Sequence, residues 1–163
     1  MKLSNAMKSA VPAAILGILA LGIAPMAGAA SPATASMTVS ATVAATCIVS
    51  ATAMAFGSYT GVVLPATSTI TVQCTNTTPY TLGLSAGGST GATVTNRSMT
   101  GPGSALLGYG LYTDSGHGTN FATLASVNGT GAPVATTVYG QVAASQYVAP
   151  GSYTDTILAT VTY

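Results

Sequence analysis

Met37-Thr38-Val39-Ser40-Ala41-Thr42-Val43 alternates without a break. Its odd positions are apolar and its even positions carry hydroxyls, the period-two pattern of a strand with one buried face. No tight turn joins it to a partner: Ala44, Ala45 and Thr46 intervene, and Cys47 follows. An amphipathic strand with no hairpin mate at hand has to find a sheet elsewhere.

Upstream of this stretch, residues 1–30 read as a secretory signal peptide. Lys2 and Lys8 make a positive n-region, Val11 to Ala24 is almost wholly apolar, and Ala27-Gly28-Ala29 offers a small-residue cleavage site. The apolar run is too short to read as a transmembrane helix, and no second candidate follows it.

Downstream, charge nearly vanishes. Beyond the leader the only charged side chains are Arg97, Asp114 and Asp155, and there is no Glu. Charged residues make up 3% of the chain, against about 25–35% on an ordinary soluble surface. A surface of Thr, Ser, Ala and Gly has little charge repulsion to keep copies apart, so the chain is expected to associate. With no basic patch, nucleic acid is excluded as a partner. Cys47 and Cys74 form an even pair in an exported chain and are expected to be disulfide-bonded. Closing that loop stabilises the fold by about 3–4 kcal/mol on the chain-entropy model.

The rest of the chain reads as strands and turns. Strong helix formers are scarce, and short Val/Thr-rich runs recur between Gly, Pro, Asn and Ser clusters, the pattern of a β-sandwich. Expected strands follow in order: Cys47–Val49, Met54–Tyr59 with a break at Gly57, Thr69–Thr75, Tyr80–Leu84, Leu106–Thr113, Val134–Val142 and Tyr153–Tyr163. Pro65 and its neighbours read as a loop. Ile70, Val72 and Cys74 share one face, which puts Cys74 on the core side within reach of Cys47. Ala86–Gly91 reads as a flexible connection, and Asn128-Gly129 as a turn. Arg97 reads as a solvated loop residue beside Asn96, and Asp155 as a carboxylate bonded to backbone at a turn.

Several blocks then resemble one family in their order. They are Met54-Ala55-Phe56-Gly57-Ser58-Tyr59, Thr71–Asn76, Tyr80–Gly87, Tyr109–Asp114, Val138–Val142 and the ending Pro150-Gly151-Ser152-Tyr153-Thr154-Asp155-Thr156 through Val161-Thr162-Tyr163. Together with the N-terminal alternating strand, they are similar to the spore coat protein U domain family, which includes pilins of archaic chaperone–usher pili. The resemblance spans residues 36–163. It implies an all-β fold: an incomplete immunoglobulin-like sandwich, completed by a donor strand from a neighbouring subunit. On that pattern residues 31–45 are the donor segment and residues 46–163 the sandwich. Met37, Val39, Ala41 and Val43 are the donor side chains, and Tyr153, Ile157, Val161 and Tyr163 belong to the strand beside the acceptor groove. The sequence agrees on two points, a spare N-terminal strand and a last strand with nothing after it to cover its edge. The partners implied are other copies of the chain or related pilins, a periplasmic chaperone and an outer-membrane usher. No cofactor and no small-molecule substrate is implied. The location implied is the surface of a Gram-negative cell, reached through the periplasm.

Chemistry finds little to work with. His117 sits in a Gly-rich loop with Asp114 close by, but no Gly-x-Ser-x-Gly elbow accompanies it. The two Asp and one His are too few for tuned acid–base catalysis, and two Cys with one His are too few for a metal centre. Gly87–Gly91 lacks the lysine of a phosphate loop. The function expected is therefore structural, and the resemblance implies a pilus shaft subunit polymerised by strand exchange and serving adhesion and biofilm formation. The alternatives are a surface coat or matrix protein whose own strand completes its sandwich, and a pilus-tip adhesin.

Overall fold

The computed structural model describes Gly28 and residues 31–163. The leader expected over residues 1–30 lies, Gly28 apart, outside the described residues.

Two antiparallel sheets enclose one core. The larger is built from Cys47–Ala51 (β1), Leu64–Cys74 (β2), Arg97–Thr100 (β4), Leu106–Tyr112 (β5) and Val134–Val142 (β7), in the order β1-β2-β7-β5-β4. The smaller holds Pro79–Leu84 (β3), Val127–Asn128 (β6) and Ala159–Thr162 (β8), in the order β6-β3-β8. The only helix among the described residues is a short 3₁₀ turn at Pro102–Ser104.

Alternation decides which side chains meet. Ile70, Val72 and Cys74 from β2 face Tyr80, Leu82 and Leu84 from β3, with Leu107, Tyr109 and Leu111 of β5 and Val138 and Val142 of β7 beside them. Each of these is buried, as a strand's inward positions should be. Cys47 stands opposite Cys74 in the β1–β2 register, and the expected disulfide joins them. Phe121 plugs the core from a loop rather than a strand and is 0% exposed. Its N–H donates to Leu111 O at 2.8 Å, and Leu124 N–H donates to Leu82 O at 2.8 Å, so this loop covers the side of β3 away from β8.

Four expectations change. Pro65 is inside β2, opposite Gln141, rather than in a loop. β1 pairs with β2 only over residues 70–74, so a proline at the far end costs no hydrogen bond on that side. Met54–Tyr59 forms no strand. Tyr153–Tyr163 is a strand only over Ala159–Thr162, where β3 lies beside it.

Arg97, expected in solvent, is 1% exposed at the start of β4. Its guanidinium donates to Ser85 O at 3.0 Å, Phe121 O at 2.9 Å and Val94 O, with Leu84 O further off at 3.5 Å. Ser85, Val94 and Phe121 lie outside the strands, so a five-donor head satisfies carbonyls that no ladder reaches. Burial lowers its pKa from the ordinary arginine value.

The N-terminal stretch is different in kind. Residues 31–40 carry no strand and are exposed throughout, including Met37 at 84% and Val39 at 83%. Residues 41–46 likewise form no strand, and Val43 is 84% exposed.

Candidate functional site

The sandwich is open along one side, between the segment that follows β1 and the segment that precedes β8. Beyond Ala51 the chain leaves β2 after one last backbone bond, Thr52 N–H to Thr69 O at 2.9 Å. It then runs to Gly61 as one wall of a groove. Residues 146–157 form the other wall. The part nearest β1 has a volume of about 390 Å³ and the continuation toward Gly61 about 890 Å³, with Met54, Phe56, Met99, Tyr153 and Thr154 lining both.

The floor of this groove is the core itself. Leu84, Tyr109, Leu111 and Val138 line it from below and are buried, while Met54, Phe56, Met99, Tyr153 and Ile157 above them are only partly covered and leave apolar surface that a further strand would cover. Met54 and Phe56 reach inward from the first wall onto Gly140 of β7. A Cβ at Gly140 would collide with both side chains, so a larger residue there would displace them from this position. The Phe56 ring meets Tyr109 edge-on, with centroids 5.9 Å apart.

Side chains close the far end. Tyr59 donates its hydroxyl to Ala143 O at 2.7 Å and accepts from Gln146 N–H at 3.0 Å, tying the two walls together. The Gln146 amide accepts from Gly108 N–H at 2.7 Å and donates to Gly108 O at 2.8 Å. It pairs with β5 as a neighbouring strand would. Tyr153 donates to Ala149 O at 2.6 Å.

One carboxylate lines the groove. Asp155 accepts the Tyr109 hydroxyl at 2.7 Å, and burial first, then this bond, raises the Tyr109 pKa well above the ordinary tyrosine value. A tyrosine held protonated against a carboxylate that is already bonded suits a binding surface better than a proton-transfer site. The other acidic group, Asp114, caps its own loop. It accepts from Gly118 N–H at 3.1 Å and Thr119 N–H at 2.8 Å, and these bonds hold its pKa below the usual aspartate range. His117 stacks edge-on with Tyr112 at 5.1 Å and meets Gln141 at 3.3 Å, on the outer side of the larger sheet.

Of the residues expected beside the groove, Tyr153 and Ile157 line it. Val161 lies in β8 opposite Leu82, and Tyr163 is exposed beyond the strand; neither borders the cavity. Met37, Val39, Ala41 and Val43 are exposed side by side on their alternating stretch. Sequence reasoning missed Met54 and Phe56 as wall residues, Met99 as lining and Gln146 as a strand substitute. The Met-x-Phe spacing at 54–56 and the Arg-x-Met spacing at 97–99 carried a period-two signal for the first three. An amide that imitates a backbone has none.

Known proteins match this chain in family, in sequence and in fold. The family model for the Spore Coat Protein U domain matches residues 33–160. "Protein U" of Myxococcus xanthus is 34% identical over 180 residues, covering 98% of this chain and 99% of that protein. Among solved structures, the CsuC–CsuE chaperone–tip adhesion subunit pre-assembly complex, from archaic chaperone–usher Csu pili of Acinetobacter baumannii, aligns with a TM-score of 0.55 at 22% identity. The alignment covers 75% of this chain and 40% of the matched one. At that identity the likeness is one of fold, and it agrees with an immunoglobulin-like sandwich.

Proposed function

The chain belongs to the spore coat protein U domain family, and from that premise we propose that it is a structural subunit of a chaperone–usher pilus. The observation that carries this reading is the groove: an open side of the sandwich whose floor is core surface. An exposed apolar edge of that kind is an aggregation liability unless another strand fills it. Met37, Val39, Ala41 and Val43 supply the matching part, a period-two stretch with its apolar side chains in solvent. Strand addition would place such a stretch beside the wall at Tyr153–Ile157. Backbone bonds would supply affinity there and alternate side chains would fill the groove.

In this reading residues 31–45 of one copy complete the sandwich of the next. A periplasmic chaperone guards the groove before assembly, an outer-membrane usher oversees the exchange, and the fibre stands on the cell surface. The described residues hold a period-two stretch that could be given and a groove that could receive one, the two parts that a link in a chain requires, which supports a shaft role over a tip role. A second reading, a surface coat or matrix protein whose own strand completes its sandwich, is favoured by the description of the matching family as a spore coat domain. Both readings describe a structural protein rather than an enzyme.

A denaturing gel of the exported protein, unheated and boiled, separates them when run beside a variant lacking residues 31–44. The pilus reading expects a ladder that boiling collapses and the deletion abolishes. A protein that stays monomeric without heating, in cells that hold its chaperone, favours the self-completed coat protein.

A further inference from the structure

Tyr153 to Leu158 keeps the alternating burial of a strand although it forms no continuous ladder with a neighbouring strand. Two backbone anchors bracket the segment. Thr154 and Thr100 exchange both of their backbone bonds, at 2.9 and 3.1 Å. Leu158 accepts from Ser85 N–H at 2.9 Å and donates to the Ser85 hydroxyl at 2.9 Å. Between these anchors the chain is held by one side chain. Asp155 Oδ1 accepts from Gly88 N–H and from Thr156 N–H, each at 2.7 Å, while Oδ2 accepts the Tyr109 hydroxyl at 2.7 Å. The carboxylate therefore ties the groove wall to β5 and to the loop that leaves β3. It also satisfies Thr156 N–H, which lies between the two anchors and meets no backbone carbonyl.

The loop is shaped for this contact. Gly87 has φ +94°, and a Cβ there would collide with the carboxylate. Only glycine lets the loop turn and approach at once. Hydrogen bonds from N–H and O–H groups to an ionised carboxylate are about twice as strong as neutral ones, which suits Asp155 to hold three elements together.

We propose that Asp155 is a positioning residue that keeps the acceptor wall strand-shaped in advance of any incoming strand, so that the strand docks onto a preformed edge. Ordering a flexible edge at the moment of docking would slow capture, and a wall already ordered removes that cost. The staple stands on the geometry alone; its part in assembly rests on the groove being a strand acceptor.

Amide hydrogen exchange on the full chain tests the staple. In Asp155→Ala, Gly88 and Thr156 should exchange at least about tenfold faster, while Thr154 and Leu158 change little. Asp155→Asn, whose amide oxygen can still accept from both N–H groups, should restore most of the protection. Capture of a labelled synthetic peptide spanning residues 35–45 tests the consequence. Asp155→Ala should slow capture about tenfold with release nearly unchanged, and Asp155→Asn should recover the rate. A residue that merely supports the fold would lower the melting temperature without this split or this rescue. Unchanged exchange at Gly88 and Thr156, or equal capture by Asp155→Ala and the wild type, overturns the proposal. Should Asp155→Ala fail to fold, Tyr109→Phe removes one of the three bonds and keeps the ring. It should raise exchange at the same two amides several-fold, and no rise overturns the staple. If the wild-type chain captures no peptide, the strand-acceptor reading falls, while exchange still decides the staple.

Discussion

β7 and the segment from Tyr153 to Thr162 alternate apolar and polar residues about equally well, yet they end in different states. β7 lies between β2 and β5 and buries Val138, Gly140 and Val142. The later segment has β3 on one side over four residues only, and its inward side chains Tyr153, Ile157 and Val161 are only partly buried. Alternation sets the direction in which side chains point. Neighbours decide whether those side chains are covered. The shortfall of coverage on the second segment is the groove, so the site consists of what β7 has and this segment lacks.

The sharpest way to break this contrast is at Arg97. Arg97→Met keeps much of the stem's packing but leaves the Ser85, Val94 and Phe121 carbonyls without their donor. It should lower unfolding free energy by about 3–5 kcal/mol in a denaturant titration. Arg97→Lys should recover only part, since three donors on a point charge cannot reproduce the planar fork. A loss under 1 kcal/mol would mean that those carbonyls find water, and that this end of the core is less closed than β7.

A paired truncation measures the contrast directly. Leu82→Ala, in a strand with a neighbour along each edge and its side chain 2% exposed, should cost about 2–5 kcal/mol, whereas Ile157→Ala on the groove wall should cost less than about 1.5 kcal/mol in the isolated chain. In assembled material the Ile157→Ala penalty should rise toward the Leu82→Ala value, read as a lower temperature at which multimers dissolve. Equal costs in the isolated chain would mean that the groove is already filled by the chain itself.

The smallest effect is expected at Asp114, away from both regions. Its pKa is depressed in the fold, so it contributes stability above the unfolded aspartate value and loses it as pH falls through the folded one. Melting temperature against pH should therefore decline below about pH 4, and Asp114→Asn should flatten that acid limb by lowering the melting temperature slightly at neutral pH while leaving it unchanged at low pH.

How much was legible beforehand follows the same division. The core faces of Ile70, Val72 and Cys74, of Tyr80, Leu82 and Leu84, and of Val138, Gly140 and Val142 are read from residues two apart, and the structure buries all nine. Arg97 was misread because a lone cation is expected in water, and nothing local reveals three carbonyls gathered from loops up to 24 residues away. Pro65 was misread because a proline signals a loop unless its empty side faces no strand, which depends on where β1 stops.

By itself, then, the sequence determined the β class, the facing of each alternating run, the pairing of its two cysteines and the apolar character of Met37–Val43. These are local matters, set by Cβ direction, side-chain volume and the count of thiols. Only the tertiary structure decided which alternating runs become strands, where the sandwich stays open, that Met54, Phe56 and Gln146 shape the opening, and that Asp155 ties its wall to β5. Each of those depends on backbone donors and acceptors brought together from distant parts of the chain, and a period-two pattern carries no record of which neighbour, if any, will meet them.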